Sequence, residues 1–149
     1  TTDARLRRTI VAHLLDLAAL ILGANKDTAE VAKNRGVRAA RLFNIKTGIM
    51  ADATNPELSL TSVAARNGIS ETYVRKLFEA DGTTFTEFLL GQRLAKAYEL
   101  LTAPAWLDHT IAAIANEAGF NDISYFNRTF RRAFNATPSD IRETIRRED

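Results

Sequence analysis

One short pattern occurs twice, and that repetition constrains the fold more than any other feature of the chain. Val63-Ala64-Ala65-Arg66-Asn67-Gly68-Ile69-Ser70 leads on to Phe78, and Ile114-Ala115-Asn116-Glu117-Ala118-Gly119-Phe120-Asn121 leads on to Phe130. In each copy a short Ala-bearing helix runs into a glycine, an apolar residue and a capping residue, Ser70 or Asn121. A second helix with one apolar face follows. Alanine lets the first helix approach the second closely, glycine permits the tight turn, and the capped second helix presents a polar face outward. This is the helix-turn-helix pattern. A single copy also occurs as a structural hairpin in enzymes, whereas two copies about 51 residues apart point to a repeated recognition unit.

Between the copies, Phe85 to Thr102 reads as one helix. Thr84 opens it with Glu87 three residues on, the reciprocal capping arrangement, and Pro104 stops it. About 18 residues at 1.5 Å rise span roughly 27 Å, comparable to the roughly 34 Å between successive major-groove faces on one side of a duplex. No period-2 alternation appears anywhere, so the expected fold is all-α: two helix-turn-helix units joined by a linker helix, preceded by N-terminal amphipathic helices.

Those N-terminal helices are expected over Ala4 to Leu22, with Asp3 near the cap and a stripe of Leu6, Ile10, Leu14, Leu17 and Ile21, and over roughly Thr28 to Ala51. The second carries Val31, Val37, Leu42, Ile45 and Ile49. Gly23-Ala24-Asn25-Lys26 is read as a break and Gly36 as an interruption, and the Asn55-Pro56 turn separates residues 1–52 from 53–149.

Composition narrows the function. The chain has no cysteine, which excludes disulfides, thiolate nucleophiles and cysteine metal sites and fits a reducing cytoplasm. The longest apolar run, Leu14 to Leu22, is broken by Asp16 and falls well short of the about 20 residues that cross a bilayer. His13 and His109 have no motif around them, and no phosphate loop, metal-binding motif or carboxylate pair occurs, so neither an enzyme, a metal site nor a cofactor is expected. Net charge is +2, yet residues 54–149 hold eleven basic against thirteen acidic side chains. Local clustering therefore has to carry any affinity for nucleic acid, and Arg128, Arg131, Arg132, Arg142, Arg146 and Arg147 crowd the C-terminal stretch.

From Asn55 to Arg147 the chain resembles the AraC/XylS-type transcription regulators. The resemblance rests on Leu58-Ser59-Leu60 before Val63-Ala64, on Gly68 to Phe78, on Arg93-Leu94 through Ala97 to Leu100-Leu101, and on Ile111 to Ala115. Its densest part is Gly119 to Phe134, followed by Thr137-Pro138-Ser139. Asn135 stands where the family usually has glycine; asparagine also tolerates a left-handed backbone. Some relatives fuse the double unit to cysteine-based alkyl transfer, a role the absence of cysteine excludes here.

The resemblance implies sequence-specific binding of double-stranded operator DNA in the major groove, activation rather than repression, and recruitment of RNA polymerase. It also implies a preceding sensor and dimerisation domain, of which residues 1–52 are the helical remnant; the chain is read as cut from something longer. A small-molecule effector would act only through that missing domain, and 4–22 would support a homodimer.

On the first recognition helix, Glu71 to about Glu79, the outward residues are Thr72, Arg75, Lys76 and Glu79. Arg75 is the leading base reader, because arginine donates two parallel hydrogen bonds to guanine, and Lys76 suits a phosphate; Glu79 is excluded as a phosphate contact. On the second, Asp122 to Phe134, Phe126, Phe130 and Phe134 belong to the core. Ile123, Ser124, Asn127 and Arg128 form the reading face: Asn127 suits adenine, Arg128 guanine or phosphate, and Ile123 either a thymine methyl or packing beneath the turn. Arg131 and Arg132 are assigned to phosphate, Arg146 and Arg147 to solvent before phosphate, and Arg93 to fixing the units relative to each other. The alternative is a protein-docking module with solvated arginines; salt dependence separates the two.

Overall fold

The computed structural model describes the backbone of residues 2–148, and among these every regular element is helical. Helix α1 covers Thr2–Asp52. Neither expected interruption forms. Glycine inside a helix costs only about 0.5–1 kcal/mol against alanine and keeps its backbone N–H, no proline intervenes, and the Thr28 hydroxyl donates back to the Ala24 carbonyl at 2.8 Å. The cap expected at Asp3 falls on a side chain outside the described residues.

The chain divides into two compact units, 1–41 and 42–149. In the first, every described side chain from Ala4 to Arg41 is exposed, including Leu14, Leu17 and Ile21.

The second unit begins at Leu42, upstream of the boundary at 53 that the Asn55-Pro56 turn suggested. The reason is packing: Ile45, Ile49 and Ala53 are buried with Leu58, Val63, Val74, Leu77, Phe78, Phe85 and Leu89. The apolar side chains on the last turns of α1 therefore belong to the first helix-turn-helix core. Lys46 pairs with Asp81 and lies over the Phe88 ring, and Arg66 meets Asp52 at 3.2 Å.

Six α-helices follow among the described residues: α2 (Leu60–Asn67), α3 (Glu71–Ala80), α4 (Phe85–Thr102), α5 (Ile111–Glu117), α6 (Ile123–Phe134) and α7 (Pro138–Glu148). Helix α4 has the expected 18 residues and serves two cores. Phe85 and Leu89 enter the first; Leu94, Ala97, Leu100 and Leu101 enter the second, with Ile114, Ala115, Ala118, Phe120, Phe126 and Phe130. The fourfold spacing of Phe126, Phe130 and Phe134 forms a ladder of rings 5.5 and 4.6 Å apart, continued by Tyr98 at 5.0 Å.

The caps explain where the helices start, with two corrections. Ser59 and Ser62 form the reciprocal capping arrangement on α2. On α4 only half of the expected one exists: Thr84 accepts from the Glu87 N–H at 3.1 Å, but the Glu87 carboxylate accepts from the Thr83 hydroxyl instead. The second recognition helix is capped by Asp122, not Asn121. The Asp122 carboxylate accepts from the N–H groups of Ser124 and Tyr125 at 2.8 and 3.1 Å, and a negative charge there also suits the helix dipole. Asn135 closes α6 at φ 54, the left-handed conformation its side chain was expected to tolerate.

Candidate nucleic-acid interface

Superposing the repeat by its caps shows that the second turn is one residue longer. Gly68 corresponds to Gly119, 51 positions on, whereas the cap Ser70 corresponds to Asp122 and the buried Phe78 to Phe130, both 52 on. Each glycine has positive φ, 65° and 100°. Around Gly68 there is open space, but a Cβ on Gly119 would lie 2.9 Å from the Ala53 carbonyl oxygen and from Arg93 Nε.

That close approach marks a junction. Arg93, on α4, donates from Nε to the Ala53 carbonyl and from a terminal nitrogen to the Asn55 carbonyl, both at 2.8 Å. Burial lowers its pKa, opposed by Tyr125; an arginine stays charged regardless. The segment after α1, the linker helix and the second turn thus converge on one guanidinium.

The two recognition helices bury one face and expose the other. On α3, Val74, Leu77 and Phe78 are buried, while Thr72, Arg75, Lys76 and Glu79 are exposed. Arg75 has a neighbour that sequence reading did not give it: the Glu71 carboxylate stands 4.0 Å away and also accepts from the Thr61 hydroxyl at 2.6 Å. An exposed pair of this kind contributes about 0.3–0.5 kcal/mol, too little to withhold Arg75 from a stronger partner. On α6, Phe126 and Phe130 are buried, while Ile123, Ser124, Asn127, Arg128, Arg131 and Arg132 are all exposed. With the longer turn, Arg75 matches Asn127 and Lys76 matches Arg128.

Beside each recognition helix lies a groove. The first, about 500 Å³, is lined by Arg75, Glu79, Thr84, Phe85 and Thr86, with Ser59 and Leu60. The second, about 400 Å³, is lined by Asn127, Arg128, Arg131, Thr137, Pro138 and Ser139. Sequence reading missed the groove residues Thr86 and Ser139. The signal was present in Thr84-x-x-Glu87 and Thr137-x-x-Asp140, where the repeat continues 53 positions apart. Thr137 and Asp140 do form a reciprocal cap, at 3.0 and 3.1 Å.

Two arginines of the C-terminal cluster, Arg142 and Arg146, make contacts that sequence did not predict, while Arg147 is exposed to solvent as expected. Arg142 is buried and donates to the His109 carbonyl, leaving Nε and one terminal nitrogen without a hydrogen-bond partner; burial, then Arg146, lowers its pKa. Arg146 donates to the Leu107 carbonyl at 2.7 Å, and Arg147 faces Glu143 at 3.7 Å. Arg142 and Arg146 thereby fasten α7 to the loop before α5, whereas the Arg147–Glu143 pair lies within α7. Among the described residues no cluster of acidic, His or Cys side chains could hold a metal ion, and no helix is long and apolar enough to cross a membrane.

The model of a helix-turn-helix domain family matches residues 63–144, more than half of the chain. A Chromobacterium violaceum transcriptional regulator with an AraC-type DNA-binding domain superposes with a TM-score of 0.63 at 28% identity, over 72% of this chain and 93% of that one. The chain belongs to the AraC-type family of transcription regulators. This AraC-type protein is 37% identical over 133 residues to the transcriptional activator RhrA of Rhizobium meliloti, covering 89% of this chain and 41% of RhrA. It is 34% identical over 108 residues to the transcriptional activator NphR of a Rhodococcus species, covering 71% of this chain and 31% of NphR. It therefore spans less than half the length of these relatives. The C-terminal domain of the response regulator AraT of Geobacillus stearothermophilus superposes with a TM-score of 0.64 at 27% identity, over 70% of this chain and 84% of that one. Family and fold are those of DNA-binding transcription regulators, not of enzymes.

Proposed function

We propose that residues 42–149 bind operator DNA with α3 and α6 in successive major grooves. Thr72, Arg75 and Lys76 on the first helix and Ile123, Ser124, Asn127 and Arg128 on the second face the bases, with Arg131 and Arg132 turned to the backbone. The observation that carries this reading is the pair of recognition helices whose polar faces stand opposite buried Val74, Leu77 and Phe78 and buried Phe126 and Phe130. Arginine reads guanine through O6 and N7 in the major groove, each bidentate contact worth about 1–3 kcal/mol of discrimination. Methylation of guanine N7 and adenine N3 before binding tests it: interference at guanines in two clusters one helical turn apart is expected, and interference confined to minor-groove adenine N3 contradicts it.

Activation, with contact to RNA polymerase, is the regulatory outcome we favour, since RhrA and NphR are both named activators. We assign small-molecule sensing to chain beyond this DNA-binding unit, in keeping with relatives more than twice as long, and its site of action to the cytoplasm. Residues 1–41 we assign to association with that region, including a homodimer through 4–22, supported by the exposure of Leu14, Leu17 and Ile21. Sedimentation showing only monomer at high concentration would sink the homodimer.

A further inference from the structure

The two grooves beside the recognition helices are the same groove built twice, and their charge differs at two matched positions, at one of which its sign inverts. By the cap-to-cap register, Arg75 matches Asn127, Glu79 matches Arg131, Thr84 matches Thr137, and Thr86 matches Ser139. Each groove thus has a recognition-helix wall and a wall from the start of the next helix, α4 or α7. Glu79 and Arg131 occupy corresponding places, and both are exposed. The inversion extends along the helices: α3 carries Glu71, Arg75, Lys76 and Glu79 and is neutral overall, whereas α6 carries Arg128, Arg131 and Arg132 with no acidic residue.

We propose that the second groove seats a phosphate of the DNA backbone on Arg131 while Glu79 bars one from the first, so that α6 adds anchoring to its base contacts and binding through α3 rests on sequence discrimination. The inference rests on the DNA-binding reading above and divides its labour. Phosphate contacts add affinity without sequence information, whereas base contacts specify. A carboxylate among the lining residues of the first groove repels the backbone of every duplex alike. Binding through α3 then has to draw on Arg75 and its neighbours meeting the right bases. Glu79 is in this sense a specificity-determining residue that need not touch a base.

The test is a charge exchange measured by fluorescence anisotropy with the whole chain, on a selected duplex and a scrambled one, between 50 and 200 mM salt. Each phosphate contact adds about 0.9 to the slope of log affinity against log salt. Glu79→Arg is expected to steepen the slope by about that amount and to tighten binding to the scrambled duplex several-fold, so that the ratio between the two duplexes falls. Such a gain cannot arise from misfolding. Arg131→Ala is expected to flatten the slope by a similar amount, which over this salt range is about a three- to four-fold change in relative affinity, with the ratio preserved. If wild type binds the selected duplex and Glu79→Arg leaves slope and ratio unchanged, the division of labour is overturned while the DNA-binding reading survives. If wild type binds neither duplex, both fall together.

Discussion

Arg93 and Gly119 are mutually dependent: the guanidinium reaches the Ala53 carbonyl only because residue 119 has no side chain. A Cβ there would stand 2.9 Å from both the Ala53 oxygen and Arg93 Nε. The contact fastens the segment after α1 to the linker helix and to the turn of the second unit. It fixes the two helix-turn-helix units to each other through the linker helix and the segment after α1.

Gly119→Ala should therefore cost far more than Gly68→Ala, although both glycines have positive φ. At Gly68 only the backbone conformation is strained, about 1–2 kcal/mol; at Gly119 the strain adds to displacement of two backbone oxygens and Arg93, for a total of about 2–4 kcal/mol. Urea unfolding midpoints compare them, and equal losses would show that the junction is slack.

Arg93→Ala should relax the preferred spacing between the two DNA boxes while leaving binding to a single box nearly unchanged. Arg93→Lys, keeping a donor to one carbonyl, should restore part of the preference. Duplexes with one base pair inserted or removed between the boxes provide the readout. Undiminished spacing preference in Arg93→Ala would remove the positioning role.

The cap exchange at the second turn gives a direct comparison. Asp122→Ala should lose about 0.5–2 kcal/mol, whereas Asn121→Ala, in the exposed turn, should stay within about 0.5 kcal/mol. Thermal unfolding of the two variants decides between the caps.

Asp140 provides a pH test. The Thr137 backbone N–H, then its hydroxyl, and lastly Arg131 lower the Asp140 pKa against a smaller opposing effect of burial. Because folding lowers this pKa, the folded chain holds the proton less readily than the unfolded one. The stability it contributes is full above the unfolded value of about 3.9 and is lost as pH falls through the lower folded value. Asp140→Ala should thus be less stable than wild type at pH 7, with the difference closing under strongly acidic conditions. A difference constant with pH would mean that the carboxylate charge contributes nothing.

Much of this was legible in the residues. The twin glycines, the alanines before them and the phenylalanines after them fixed the helix-turn-helix units, because each is demanded by a backbone angle or a close approach. Exposure of Arg75, Arg128 and Arg131 followed from helical spacing. What could not be read depended on partners distant in sequence. The continuity of α1 past Gly23 required knowing that no competing structure claims those residues. Ile45 and Ile49 could be seen as apolar but not as part of the first core. The burial of Arg142 against the His109 carbonyl breaks the rule that arginines lie outside. The extra residue in the second turn escaped because Asn121 and Asp122 both make good caps, and only the hydrogen bonds to Ser124 and Tyr125 choose between them.

The most direct test is selection of bound sequences from a random DNA pool near physiological salt, with wild type beside Arg75→Ala and Arg128→Ala. A motif of two boxes about one helical turn apart is predicted, with Arg75→Ala relaxing one box and Arg128→Ala the other. Failure of the folded protein to enrich any motif, or variants that leave both boxes unchanged, would contradict recognition of DNA by α3 and α6.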